Sequence, residues 1–94
     1  MPSVFIRHRA TDFDKWKKAF DEHQPAREAA GVTGHSLHRD ASDPHVTVLA
    51  LRVKDLAKAH EFATSDELRE TMMRAGVEGP PEIWFTEDVE EKKY

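Results

Sequence analysis

His45-Val46-Thr47-Val48-Leu49-Ala50-Leu51-Arg52-Val53 is the stretch on which the fold turns. It is rich in β-branched residues, and Ala41-Ser42-Asp43-Pro44 supplies turn chemistry before it, so it reads as a strand. Alternate side chains of a strand leave on opposite faces. Thr47, Leu49, Leu51 and Val53 therefore point one way and Val46, Val48 and Ala50 the other, and neither set has the charge of a solvated face. Such a strand needs cover on both sides.

The neighbouring segments repeat the pattern. Val32 to Asp40 alternates and forms a hairpin with the run from His45 to Val53. In Val4 to Arg9, Val4 and Ile6 oppose Phe5, and in the last strand, Ile83 to Thr86, Ile83 and Phe85 oppose Trp84. Helices fall between the strands. Thr11 with Asp14 has the spacing of an N-cap and a first-turn carboxylate, and Phe13, Trp16, Phe20, His23 and Arg27 then recur at helical steps. Pro25 predicts a kink or a restarted turn, and Gly31 a stop. Asp55 suits the cap of a helix carrying Leu56, Ala59, His60 and Ala63; Ser65-Asp66-Glu67 starts another with Leu68, Met72 and Ala75, which Gly76 ends. Pro80-Pro81 leads into the final strand, and the charged segment from Glu87 to Lys93 reads as a solvated tail.

The order β-α-β-β-α-β is the split βαβ, or ferredoxin-like, α+β pattern: a four-stranded antiparallel sheet with helices on one face, in a single domain over residues 1–94. Helices on one face leave the other apolar face uncovered. The simplest solution is a homodimer whose two sheets pack against each other, forming a dimeric α/β barrel. Size points the same way, since a 94-residue chain buries only roughly 60–65% of its unfolded surface. The absence of cysteine excludes disulfides, thiolate metal sites and thiol nucleophiles. With 14 Lys+Arg against 18 Asp+Glu, the balance argues against a nucleic-acid partner. No signal-like or membrane-spanning apolar run is present, so no membrane partner and a cytoplasmic location are expected.

Chemistry-bearing residues are few. The first helix's stripe changes from Phe13, Trp16 and Phe20 to His23 and Arg27, as at the mouth of a pocket; a helix end emerging into solvent, with Arg27 lying over the core edge, gives the same pattern. His8 shares a face with Val4 and Ile6. It enters the same cleft if that face looks toward the helices, and an interface if it looks toward a second copy. An imidazole in such a cleft suits general acid–base work near neutral pH, and Trp16, Phe62, Trp84 and Phe85 would line an apolar cleft for a flat organic ligand. His35 and His38 leave a strand on opposite faces, and no His-x-x-x-His spacing occurs, so no metal site is expected. There is no Gly-x-Ser-x-Gly elbow and no phosphate-cradling loop.

The segments Phe5-Ile6-Arg7-His8-Arg9, Asp12 to Lys17 with Phe20-Asp21-Glu22-His23, Ser65 to Arg69, Met72 to Val77 and Pro80-Pro81-Glu82-Ile83 resemble small bacterial proteins of the dimeric α/β-barrel superfamily, known as cyclases or antibiotic-biosynthesis-monooxygenase-like proteins. The resemblance implies a ferredoxin-like protomer, a face-to-face dimer and a ligand cleft between sheet and helices. Monooxygenase and haem-degrading branches commonly use an asparagine with a tryptophan, tyrosine or histidine, and this chain has no asparagine. The resemblance then favours a cofactor-independent cyclase or isomerase acting on a small cyclic or aromatic compound, with His8 and His23 catalytic and Arg27, Trp16, Phe62 and Trp84 binding substrate. A non-catalytic ligand-binding dimer and a cofactor-free monooxygenase are its alternatives.

Overall fold

The computed structural model describes all residues, 1–94. The strands are β1 (Pro2–Ala10), β2 (Val32–Arg39), β3 (Val46–Val53) and β4 (Val77–Glu87); the helices are α1 (Phe13–Glu22), α2 (Gln24–Ala29), α3 (Leu56–Ala63) and α4 (Asp66–Arg74). One antiparallel sheet has the order β2-β3-β1-β4, with helices on one face. This is the ferredoxin-like arrangement with each helical arm in two pieces. The sheet is open, and β2 and β4 are its edges.

Local chemistry accounts for the breaks. Pro25 stands in the first turn of α2, where its missing N–H costs nothing, and His23 joins the two helices as the C-cap of one and N-cap of the other. The N-cap of α1 is Asp12, which accepts from the Lys15 amide at 3.2 Å, and not the expected Thr11. Thr11 faces the far helical arm, and a Cβ added at Gly76 (φ +89°) would meet its Oγ1 at 2.8 Å, so glycine is required there. Asp55 and Ser65 cap α3 and α4.

β4 begins six residues earlier than the run Ile83 to Thr86 predicts and includes both prolines, which an edge strand tolerates. Its register against β1 shifts between Arg7 and Arg9: the partners Glu82 and Glu78 are four residues apart where β1 advances two. The irregularity, with Gly79 at φ +69°, lies alongside His8, so His8 has no ladder partner on β4.

The core lies between sheet and helices. Val4, Ile6, Leu49, Leu51 and Val53 face Trp16, Phe20, Ala59 and Ala75 there. The opposite sheet face is apolar at its centre, where Phe5 pairs with Ala50 and Trp84, but it is rimmed by the ion pairs Arg7–Glu82 and Arg9–Glu78 and by Arg52 with Asp88 and Glu91. Val48 and Ala50 of β3, Phe5 of β1 and Trp84 of β4 share this face, in keeping with the expected alternation, and the arginines between them make it amphipathic. The tail is tied at its root, where Ser3 Oγ donates to Asp88 at 2.6 Å. No helix is long and apolar enough to cross a membrane.

Candidate functional site

A cavity opens between the inner sheet face and the helices, walled mostly by apolar side chains, with His8, His23 and Arg27 among its polar members. His8 comes from the inner face of β1, which settles the open question of its direction. It is 6% exposed, and its ring meets the Trp16 ring edge-on at 5.0 Å. Burial pushes its pKa below the ordinary histidine value, against the opposing effect of its own backbone hydrogen bond, so the ring is neutral at pH 7. Its Nδ1 lies 3.4 Å from Thr47 Oγ1 on β3. His8 lines the cavity, and its other ring nitrogen has no hydrogen-bond partner in the protein.

The aromatic wall continues along α1. Trp16 stacks on Phe20 at 5.0 Å, one helical turn on, and the Arg27 guanidinium lies over the Phe20 ring at 3.6 Å. Arg27 is 4% exposed; its Nη1 donates to the Phe20 carbonyl at 2.7 Å, and Nη2 is buried with no partner. No ion pair of the chain includes it. Burial lowers its pKa while Asp21 and Glu28 act from a distance in the other direction, but a guanidinium stays charged at neutral pH. The ring contact and one charged hydrogen bond offset part of the desolvation, and the orphan nitrogen is a donor without an acceptor. His8 and Arg27 thus stand at the two ends of a wall two rings long.

His23 closes the helical side. Its ring stacks on Phe62 of α3 at 5.9 Å, and burial first, then Arg27, lower its pKa while Glu67 opposes them. His23 also lines two grooves beside the first turns of α4, so it stands between the cavity and those grooves. The cavity volume is only about 60 Å³, far below the ~300–1,000 Å³ of sites that hold drug-sized ligands. A ring-sized ligand therefore requires wall side chains to swing outward, and half-buried His23 and Phe62 have the room.

His8, His23, Arg27, Trp16 and Phe62 are thus brought together. Trp84 is not. It lies on the outer sheet face opposite Phe5 and is 47% exposed, because its β4 register puts Ile83 and Phe85 inward instead. Phe85 faces inward but packs beside His60 at 5.0 Å, outside the cavity lining. The residue missed by sequence reasoning is Thr47. Its signal was available: it is the one hydroxyl on the otherwise aliphatic inner face of β3. No three His, Asp or Glu side chains converge as metal ligands would.

The fold is a ferredoxin-like α+β protomer, and solved structures share it. A provisionally assigned antibiotic biosynthesis monooxygenase of Bordetella bronchiseptica superposes with TM-score 0.76 at 16% identity, covering 94% of this chain and 96% of the other. SnoaB of Streptomyces nogalater, a cofactor-independent oxygenase solved as an asparagine-to-alanine variant, gives TM-score 0.74 at 12% identity over 96% and 94% of the two chains. A Nitrosomonas europaea protein of unknown function gives 0.69 at 17% identity over 99% and 93%. No protein-family model matches the chain, and no curated protein matches it.

Proposed function

We propose that the cavity binds a small cyclic or aromatic compound with an acidic C–H or O–H and that the protein is a cofactor-free monooxygenase of such compounds. The observation that carries this reading is the pairing, in one apolar cavity, of a neutral histidine with a buried guanidinium nitrogen that has no partner. His8 removes the proton as general base, and the charge that develops on a conjugated oxygen is held by Arg27 at the other end of the Trp16–Phe20 wall. The resulting electron-rich anion reacts with dioxygen: its carbon gains one oxygen atom as a carbonyl, and the second oxygen leaves as water with two hydrogens of the substrate, those of the CH2 in a C–H acid or one ring C–H and one O–H in a phenol. His23, half exposed over Phe62, guards the way in.

Similarity to a cofactor-independent oxygenase supports dioxygen as the second reactant. The absence of asparagine favours a second reading in which the same anion cyclises or isomerises without oxygen. Anthrone and a quinol, assayed with an oxygen electrode and isotope-labelled dioxygen, separate the two. Oxygen consumption with label in the product, lost in His8→Ala while circular dichroism is unchanged, supports the oxygenase; product formed equally under nitrogen supports the cyclase. Binding without product from any compound leaves a ligand-binding protein. We further propose that the protein works as a homodimer through the outer sheet face, with Phe5 and Trp84 at the centre of the contact.

A further inference from the structure

We infer that the cavity holds its ligand as an anion: Arg27 pairs with an ionised oxygen on a planar ring in the resting complex, before any bond changes. The inference rests on the reading of the cavity as a ligand site, and not on His8 as the base. Arg27 is the one permanently charged side chain among the residues that line the cavity, which include no Asp, Glu or Lys. It is 4% exposed and belongs to no ion pair. The acids nearest it in sequence are engaged at the surface: Asp21 takes the Lys17 ammonium at 2.6 Å, and Glu28 accepts from the Gln24 amide at 3.0 Å. His23 and His35 bring no negative charge. Burial first, then Arg27, lowers the pKa of both, so both are neutral at pH 7.

The contacts of the guanidinium leave one kind of partner missing. The Phe20 ring covers one of its faces at 3.6 Å, and Nη1 donates to the Phe20 carbonyl at 2.7 Å. Both contacts hold the group in place, and neither balances its charge. Nη2 is left buried and without an acceptor, and an anionic oxygen is the acceptor that such a charged donor binds most strongly. A lone charge in apolar surroundings is costly. An anion offsets that cost, whereas a neutral ring entering the same cavity only strips more solvent from the cation. One negative charge balances the site, and a cation is repelled. The ligand class narrows to planar ring compounds that present an ionised hydroxyl, enol or carboxyl group, with uncharged rings of the same shape disfavoured.

4-Nitrophenol and nitrobenzene test this without any turnover, because they differ by one ionisable hydroxyl and only the ionised phenol absorbs strongly in the visible. An apolar cavity by itself raises the pKa of a bound phenol, whereas a buried cation lowers it. In the native chain the bound phenol should ionise at lower pH than the free one, with the phenolate favoured by roughly 10–100-fold, the strength of one hydrogen bond to a charged group. Arg27→Met should reverse the sign of that shift and bind nitrobenzene at least as tightly as the native chain does. Nuclear magnetic resonance signals of the His8 and Trp16 rings report whether each compound occupies the cavity. A native chain that raises the phenol's pKa, or takes nitrobenzene as tightly as the phenolate, overturns the inference, and this titration decides it even where Arg27→Met does not fold. A lowered pKa that persists in Arg27→Met overturns it as well. If neither compound moves the His8 and Trp16 signals, the reading of the cavity as a ligand site falls, and this inference with it, so the two failures are distinguishable.

Discussion

The two faces of the sheet are built from alternate residues of the same strands, yet they handle polar groups in opposite ways. On the inner face, Val4, Ile6, Leu49, Leu51 and Val53 are all at most 5% exposed, and the two buried polar residues among them, His8 and Thr47, meet each other. On the outer face, Phe5 and Trp84 are 39% and 47% exposed, and polar residues pair across the strands as ions in water, as Arg7 does with Glu82. A buried polar pair is costly to keep and so points to a function, whereas exposed ion pairs cost little and mark only a rim.

Truncation tests this contrast most strongly. Leu51→Ala should destabilise the protein by about 2–5 kcal/mol, read from denaturant midpoints, because the inner face cannot refill the cavity. Phe5→Ala is informative because its cost depends on concentration. If a second copy covers the outer face, the loss should be comparable to that at Leu51 in concentrated protein and fade on dilution, with sedimentation showing the dimer weaken. A small, concentration-independent loss would mean that the outer face is solvated and that the homodimer reading fails.

Arg27→Met probes the exception on the inner side. Removing a buried, unpaired cation while keeping its aliphatic bulk should leave stability unchanged or raise it by roughly 1–2 kcal/mol. Affinity for anionic ring compounds should fall sharply in the same variant. A large loss of stability would instead make the stack on Phe20 and the bond to its carbonyl the residue's main work.

The pH dependence is smaller and has a definite sign. His8, His23 and His35 all have pKa values lowered in the folded protein, chiefly by burial. The unfolded chain therefore binds more protons, and stability is greatest above the ordinary histidine pKa of about 6.5. It falls as pH drops through that value toward the folded pKa values. His8→Gln should flatten the fall, measured as thermal midpoint against pH, and a midpoint rising on acidification in this window would contradict the burial.

Much of this architecture was legible because strand alternation and helix capping are local. The run around Leu49 and Leu51, the caps Asp55 and Ser65 and the break at Pro25 were read from neighbours alone. The cavity group His8, Trp16, His23, Arg27 and Phe62 emerged from one helical stripe and one strand face. Three things were not local. The inward or outward choice for His8 depends on which face the helices take. Trp84 alternates with Ile83 and Phe85, and which of the two sets turns inward follows from the pairing of β4 with β1. The contact of Thr47 with His8 needs the pairing of β1 with β3 across 39 residues of sequence.

The smallest effect belongs to the outer rim. Arg7 Nη1 and Glu82 Oε1 are 3.2 Å apart, with side chains 44% and 57% exposed. As an exposed cross-strand pair it should contribute no more than about 0.2–1 kcal/mol by a double-mutant cycle of Arg7→Ala and Glu82→Ala, and salt should erase it. That expectation holds for the solvated face of a monomer. Under a second copy the same pair is desolvated, and its coupling should grow and resist salt. A cycle measured below and above the concentration at which the chain associates therefore asks, at a single ion pair, whether the outer face is a surface or an interior.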